Sequence, residues 1–256
     1  SGVASYTRSE RFTDRYFAKP QTVFSPEELL AVGLAESPLF EPGAKFDYSN
    51  TNTILLGMVI EKVTEQPVEK VMAAQILHPL GLTQTVWPGE STALPTPYAQ
   101  GFTLQGVHAT PEAPSNATHW NPAWGWTAGE LISTIDDLVV YGRALGTGQG
   151  LLDATSQTER LRSFPGAAGY GIGMGCVDGW VGHTGELPGY NTSLFYDTTT
   201  DTTIAVQTNS DISSGDCPAD TPTLPGNSRD LSCSSPATRI FVALTKALGH
   251  PFVMPS

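Results

Sequence analysis

A tyrosine that can handle protons stands just before a predicted helix. Tyr48 and Asn50 lie in the stretch FDYSNTN, and apolar residues at helical spacing follow from Ile54. A phenol held near a reacting group can act as a general base and then as a general acid. The alternative is structural, in which Ser49 or Asn50 caps the helix and Tyr48 packs beside it.

A second candidate group stands in the other half of the chain. The tripeptide His183-Thr184-Gly185 ends a predicted strand and is followed by Glu186 and the turn residues Pro188 and Gly189. Histidine changes its charge near neutral pH and therefore serves in many active sites. A lone histidine is more often structural or on the surface, so this motif alone does not predict a function.

Composition narrows the class of protein. The chain has 256 residues, of which 39% are hydrophobic and 15% charged, as is typical of a soluble globular protein. A formal charge of −12 disfavours nucleic acid and anionic membranes as partners. No apolar run approaches the roughly 20 residues of a membrane span. We expect one large domain or two intimately packed lobes.

Three cysteines, Cys176, Cys217 and Cys233, are too few and too scattered to form a zinc site. Cys217 and Cys233 bracket a loop rich in proline, glycine and aspartate. A disulfide there would stabilise the fold by roughly 3 kcal/mol and would favour an extracellular or periplasmic location. Three free thiols in a cytosolic protein are the alternative.

No metal or organic cofactor is predicted. The sequence has no His-Glu-x-x-His motif, and GIGMG lies in a predicted strand, so it is not a dinucleotide-binding loop.

The first half of the chain predicts helices separated by long loops. Ser25, Pro26 and Glu28 form the signature of a capping box, with Phe24 and Leu29 placed as a hydrophobic staple. In the helix after the Tyr48 motif, one predicted apolar stripe consists of Ile54, Leu55, Met58, Val59 and Val63. Pro67 starts another helix, which we expect to end before HPLGL. Residues 83–122 read as loops, and STIDDLVVYGRAL reads as a capped helix.

The second half predicts strands and a final helix. The predicted strands are YGIGMGCV, WVGHTG, TSLFYD and TTIAVQTN, the last two joined by a turn at 198–201. A last helix has Ser235 as its cap, Pro236 in its first turn and Gly249 as its stop. This order predicts an antiparallel sheet with that helix packed on it. The expected lobes are a mainly helical one over 1–125 and a sheet lobe over 126–256.

Taken together, these motifs resemble those of the penicillin-recognising serine hydrolases. PGAKFDYSNTNTILLGMVIEKVT resembles the family's Tyr-Ser-Asn segment, and YGIGMG…GHTGELPGYNT its His-Thr-Gly strand. AWGWTAGELISTIDDL resembles the block between them. The similarity covers nearly the whole chain and points to D-alanyl-D-alanine carboxypeptidases, class C β-lactamases and β-lactamase-like esterases. It implies a mixed α/β (α+β) fold with a helical lobe and an antiparallel sheet flanked by helices.

The resemblance also implies roles for individual residues. Tyr48 would move the nucleophile's proton, and Asn50 would hydrogen-bond the substrate amide. His183 and Thr184, followed by Gly185, would bind the substrate's carboxylate end. The Glu186 backbone N–H would donate to the oxyanion. Trp124 would line the cleft, with Trp126 as the competing assignment.

The chain departs from the family at the nucleophile. The family's first motif is Ser-x-x-Lys, and no lysine of this chain has a serine three residues before it: Lys19, Lys45, Lys62, Lys70, Lys246. We expect the N-terminal part of the family domain to lie outside this chain, either removed or supplied as a second chain. A pseudoenzyme that keeps a ligand cleft and an enzyme with another nucleophile are the alternatives. The expected substrates are D-Ala-D-Ala peptides, β-lactams or small esters.

Overall fold

The computed structural model describes residues 1–162 and 169–253, which divide into two compact units. Residues 1–94 and 120–134 belong to the first unit. Residues 95–119, 135–162 and 169–253 belong to the second. The expected boundary between 125 and 126 does not coincide with this division, because the chain enters the second unit at Pro95 and returns to the first at Trp120.

The first unit is helical. Its α-helices are α1 (Glu10–Ala18), α2 (Pro26–Ala35), α3 (Asn50–Thr64), α4 (Val68–Met72) and α5 (His78–Leu80). A π-helical stretch, Ala73–Leu77, joins α4 to α5, and single 3-10 turns occur at Tyr6–Arg8 and Trp126–Ala128. These elements enclose an aromatic core that includes Tyr6, Phe12, Tyr16, Phe24, Leu29 and Ile54.

Helix α2 begins as its sequence predicts. The Ser25 hydroxyl accepts a hydrogen bond from the Glu28 N–H at 3.2 Å, and the Glu28 carboxylate accepts one from the Ser25 N–H at 3.1 Å. These reciprocal bonds satisfy backbone donors that the first helical turn leaves free. Phe24 and Leu29, the expected staple, both belong to the buried core.

The predicted apolar stripe of α3 is wrong in part. Thr51, Ile54 and Gly57 form the buried face, whereas Val59 and Val63 are exposed. The small residues explain the choice of face, because they permit close helix contacts. A Cβ on Gly57 would lie 2.6 Å from the Thr127 methyl carbon. The close approach of Thr127 to Gly57 therefore determines which side of α3 is buried, and a count of apolar residues does not predict that side.

The helix after Pro67 is longer than predicted. It continues through His78-Pro79-Leu80 and ends at Gly81, whose φ of +67° is in the left-handed region. The π-helical stretch shifts the hydrogen-bond register just before Pro79, which has no N–H to donate. A proline in this sequence therefore does not end the helix.

The second unit contains the antiparallel sheet. A short pair, β1 (Phe102–Thr103) and β2 (Ser115–Asn116), precedes four strands in the order β3-β4-β5-β6: Gly175–Val177, Trp180–Leu187, Tyr190–Asp197 and Thr202–Thr208. Its helices are α6 (Ile135–Thr147), α7 (Ala154–Leu161) and α8 (Pro236–Ala247). The strand expected from Tyr170 is shorter than predicted. It begins at Gly175, because the chain bends through Gly173, whose φ is +74°.

Helices α6 and α8 cover opposite faces of this sheet. Phe195 of β5 stacks on Phe241 of α8, with ring centroids 4.6 Å apart. The preceding residue of β5, Leu194, faces α6, since a Cβ on Gly142 would lie 2.8 Å from its Cδ1. Successive side chains of a strand point to opposite faces, so the two helices must sandwich the sheet. As predicted, α8 begins after Ser235.

Gly57→Ala should destabilise the first unit. The added methyl group overlaps the Thr127 side chain and the Trp126 ring, so we expect a loss of about 1–3 kcal/mol in the free energy of unfolding. Urea unfolding followed by tryptophan fluorescence measures this loss. Val63→Ala, on the exposed side of the same helix, is the control and should change stability by less than about 0.5 kcal/mol. Equal effects of the two substitutions would contradict the close-packing argument.

Candidate active site

Tyr48 and Asn50 are joined at the start of α3. The Tyr48 hydroxyl donates to the Asn50 Oδ1 at 3.0 Å, and the Asn50 Nδ2 donates to the Thr7 Oγ1 at 3.1 Å. The Asn50 backbone N–H donates to the Ser5 Oγ at 3.1 Å. Ser49 occupies the N-cap position without making a side-chain cap bond. The cap therefore comes from Ser5, far away in sequence, and the Asn50 side chain serves to orient Tyr48.

The segment 4–7 fixes this arrangement. The Thr51 hydroxyl donates to the Ala4 carbonyl at 2.7 Å and accepts from the Tyr6 N–H at 3.0 Å. Ser5 and Thr7 share a further hydroxyl hydrogen bond of 2.9 Å. Most of these groups are buried, where a hydrogen bond left unmade is costly. The start of α3, with Tyr48 just before it, is thereby held in one position.

The surroundings of Tyr48 in the first unit oppose its ionisation. Burial raises the pKa of the Tyr48 phenol above its ordinary value. A phenol serves as a base near neutral pH only when its pKa is lowered, which a nearby cation does. Tyr48 therefore needs a positive charge beside it before it can take a proton from a nucleophile.

Trp124 lies in the aromatic core of the first unit. Its ring centroid is 5.6 Å from that of Phe12 and 5.5 Å from that of Tyr16, and its carbonyl accepts a hydrogen bond of 2.6 Å from the Tyr6 hydroxyl. Trp126 has a φ of +35° and packs against α3 beside Gly57. These contacts give both tryptophans a structural role, and the predicted contact of Trp124 with a substrate stays a prediction.

His183 lies in β4 and is oriented by Tyr170. The Tyr170 hydroxyl and the His183 Nε2 are 2.7 Å apart, and the two rings pack edge to face. The His183 Nδ1 contacts the Thr184 carbonyl oxygen. Both ring nitrogens are thus engaged, which holds the ring in one orientation. Sequence analysis did not single out Tyr170 for this role.

The strand segment 183–187 has one open edge within the described part of the chain. Strand β3 pairs with residues 180–182 of β4, whereas β5 pairs with all of β4. Thr184, Gly185 and Glu186 are exposed there. An open strand edge can pair with an extended ligand through its backbone. The expected binding segment is therefore accessible in the second unit.

A buried aspartate supports the turn that follows this segment. Asp211 accepts hydrogen bonds from the Thr103 hydroxyl at 2.8 Å, the Gln105 amide at 2.5 Å and the Gly189 N–H at 3.2 Å. Loss of solvation and the negative charge of Asp211 together raise the pKa of the nearby Glu186 to about 7. Sequence reasoning missed Asp211, because its partners Thr103 and Gln105 lie more than 100 residues away.

Glu130 is a second carboxyl group that sequence reasoning missed. It is 2% exposed, and although the Trp126 and Gly89 backbone N–H groups lie near its carboxylate and lower its pKa, neither oxygen makes a hydrogen bond of normal geometry within the described residues. Burial raises the pKa of Glu130 to about 8, and the charge of Glu69 adds to the effect. Glu130 is therefore protonated at neutral pH and belongs to the first unit's interior.

The cysteines are divided between a disulfide and a thiol. Cys217 and Cys233 form a disulfide with their Cα atoms 4.5 Å apart, closing the loop between β6 and α8. Cys176 is a free thiol in β3, and burial raises its pKa. A raised pKa keeps it in the poorly nucleophilic thiol form.

Residues 1–162 and 169–253 contain no group of three or more His, Cys, Asp or Glu side chains arranged to hold a metal ion. In the same ranges, no helix is long and apolar enough to cross a membrane.

The Tyr48–Asn50 pair and the His183 strand are features of a serine hydrolase of the β-lactamase type. Residues 1–223 match the family described as Beta-lactamase, and the chain therefore belongs to that family. This confirms the family that the sequence motifs indicated. The family's Ser-x-x-Lys motif does not occur in residues 1–256.

The similar curated proteins are longer than this chain. A putative D-alanyl-D-alanine carboxypeptidase of Escherichia coli K12 is 37% identical over 78 residues, which cover 30% of this chain and 16% of that protein. A protein of the same description from Salmonella paratyphi B is 28% identical over 160 residues, covering 55% of this chain and 37% of its own length. The chain thus spans well under half of these relatives.

Solved structures confirm the predicted fold class. The D-stereospecific amidohydrolase from Streptomyces sp. aligns with a TM-score of 0.75 at 32% identity, covering 82% of this chain and 65% of that one. A penicillin-binding protein from Bacillus halodurans aligns with a TM-score of 0.72 at 21% identity, covering 97% of this chain and 69% of that one. Both support the mixed helix and antiparallel-sheet architecture of β-lactamase-like proteins.

Glu130→Gln should make stability less dependent on pH. The folded-state pKa of Glu130, about 8, exceeds the ordinary value of 4.5. Its stabilising contribution is therefore complete below pH 4.5 and is lost as the pH rises to about 8, when a buried charge must form. Glutamine keeps the shape and cannot ionise.

Between pH 5 and pH 9 the unmodified protein should lose about 2–4 kcal/mol more unfolding free energy than the Glu130→Gln variant. Urea unfolding at both pH values measures the difference. Glu112→Gln, at an exposed carboxylate, should follow the unmodified protein. If Glu130→Gln shows the same pH dependence as the unmodified protein, Glu130 does not carry the effect.

Proposed function

We propose that this chain supplies the Tyr-Ser-Asn and His-Thr-Gly elements of a secreted serine hydrolase that works through an acyl-enzyme. The observation that carries the proposal is the Tyr48–Asn50 hydrogen bond, held by Ser5 and Thr7 at the start of α3. The proposed substrates are D-Ala-D-Ala peptides, β-lactams or small esters. The similarity to a D-stereospecific amidohydrolase adds amides of D-amino acids to that set.

Each motif has a proposed role in the reaction. A serine outside residues 1–256 attacks the substrate carbonyl, and a lysine beside it supplies the cation that Tyr48 needs. Tyr48 takes the serine proton and returns it to the leaving group, while Asn50 hydrogen-bonds the substrate amide. Thr184 and His183 bind the end of the substrate, and the Glu186 backbone N–H donates to the oxyanion.

The nucleophile is assigned to a serine outside residues 1–256 because these residues contain no Ser-x-x-Lys motif. None of the five lysines has a serine three residues before it. Cys176, the free thiol, has a raised pKa and is a poor substitute. An extracellular or periplasmic location is supported by the Cys217–Cys233 disulfide.

The second candidate is a binding protein without catalytic activity. The same missing Ser-x-x-Lys motif favours it, since a chain with only Tyr48, Asn50 and His183 retains ligand-binding groups and lacks a nucleophile. Such a protein would recognise a peptide end through His183 and Thr184.

Intact mass spectrometry before and after incubation with a fluorescent penicillin and with a fluorophosphonate separates the two candidates. In the hydrolase, a polypeptide carrying Ser-x-x-Lys gains the adduct mass, either as a longer form of this chain or as a second chain that co-purifies with it. If the folded 27.2 kDa chain is the whole protein and remains unmodified, the hydrolase proposal is wrong for it.

Tyr48→Phe should slow acylation in the protein that contains the nucleophile. Loss of the proton-transfer hydroxyl is expected to reduce the acylation rate about 10²- to 10⁴-fold. Stopped-flow measurement with a chromogenic β-lactam or ester gives this rate, and circular dichroism checks that the fold is retained. Tyr98→Phe, at an exposed tyrosine, is the control and should leave the rate unchanged. An unaltered rate in Tyr48→Phe would remove Tyr48 from the proposed mechanism.

A further inference from the structure

Glu186 carries an unpaired carboxylate at the open edge of β4. Among residues 1–162 and 169–253, its side chain forms no hydrogen bond or ion pair, and it is exposed. It follows Thr184 by two residues, so both side chains project from the same face of the strand, with Cα atoms about 6.6 Å apart. A ligand held by the Thr184 hydroxyl therefore lies close to the Glu186 carboxylate.

The charges around Glu186 leave its carboxylate without compensation. Asp211, on the segment after β6, adds a second negative charge. Asn191, directly across the sheet on β5, is neutral. His183 belongs to the opposite face of β4 and is engaged by Tyr170. Loss of solvation and the charge of Asp211 raise the pKa of Glu186, so a bound cation would relieve an unfavourable charge.

This electrostatic pattern selects among ligands. A carboxylate bound at Thr184 would meet repulsion from Glu186 and Asp211, whereas an ammonium group would be attracted to the same position. The expected recognition of a carboxylate end by His183 and Thr184 is therefore disfavoured by the residue that follows them. Like charges placed at a site are an effective way to reject a competing ligand.

We propose that Glu186 determines specificity by binding the ammonium group of a D-amino acid amide, or the N-terminal amine of a D-peptide, and by rejecting a carboxylate at the same position. The inference rests on the proposed function and narrows its substrate class. This role belongs to the Glu186 side chain. A side-chain substitution therefore tests it without removing the Glu186 backbone N–H, which has the separate role of donating to the oxyanion.

Binding at pH 7 tests the inference without requiring turnover. Isothermal titration compares D-phenylalanine amide, which carries the ammonium, with N-acetyl-D-phenylalanine amide, which does not. The unmodified full-length protein should bind the first about 5- to 10-fold more tightly. Glu186→Gln keeps the backbone N–H and the side-chain shape and should abolish this preference. Glu159→Gln, at an exposed carboxylate on α7, should retain it.

A carboxylate ligand should respond in the opposite direction. N-acetyl-D-Ala-D-Ala, which has a C-terminal carboxylate and no ammonium group, should bind several-fold more tightly to Glu186→Gln than to the unmodified protein, because the repulsion is removed. General damage to the fold would weaken every ligand, so a gain for one and a loss for another identifies the charge of Glu186 as the cause.

The outcomes separate this inference from the proposed function. If a serine is labelled by the fluorophosphonate and Glu186→Gln leaves all three affinities unchanged, the specificity role of Glu186 is overturned and the hydrolase stands. If the ammonium preference is present in the unmodified protein and absent from Glu186→Gln, the inference is supported even where labelling fails. Tighter binding of N-acetyl-D-Ala-D-Ala than of D-phenylalanine amide by the unmodified protein would overturn it directly.

Discussion

The hydrogen bonds between segment 4–7 and the first turn of α3 determine the geometry of the Tyr48 motif. A helix start needs acceptors for its free N–H groups, and here the Ser5 hydroxyl provides one for Asn50. Because Ser5 is buried and also bonded to Thr7, it cannot turn away without leaving polar groups unsatisfied. Asn50 is held by its bond to Ser5, and Tyr48 is held in turn by its hydrogen bond to Asn50. The Tyr48 hydroxyl is thus positioned through Ser5 and Thr7, which have no proposed role in the reaction.

In the second unit, the buried charged side chain of Asp211 fixes the position of the binding segment. Asp211 accepts hydrogen bonds from a hydroxyl and an amide at the end of β1 and from a backbone N–H in the turn after β4, and so fixes that turn. The cost of burying a carboxylate is offset by these donors. Its negative charge then acts on Glu186 at the exposed end of the strand. One residue thus supports the turn and sets the electrostatic character of the binding edge.

Sequence reasoning succeeded where local rules dominate. The capping box of α2, the start of α8 and the strands β4 to β6 all follow from short patterns, and the motifs correctly indicated the family. It failed where distant contacts decide. The buried face of α3 follows from the close approach of Thr127 to Gly57, and the roles of Ser5, Tyr170 and Asp211 depend on partners that no local pattern reveals.

The interleaved path of the chain has a consequence for biosynthesis. The first unit is built from residues 1–94 and 120–134, and Trp120, Trp124 and Trp126 pack against its aromatic core. While the ribosome is still making residues 95–119, that core lacks three of its largest side chains. The core formed by helices α1 to α5 therefore remains incompletely packed until residues 120–134 have been synthesised. Its packing can be completed only after that segment is available.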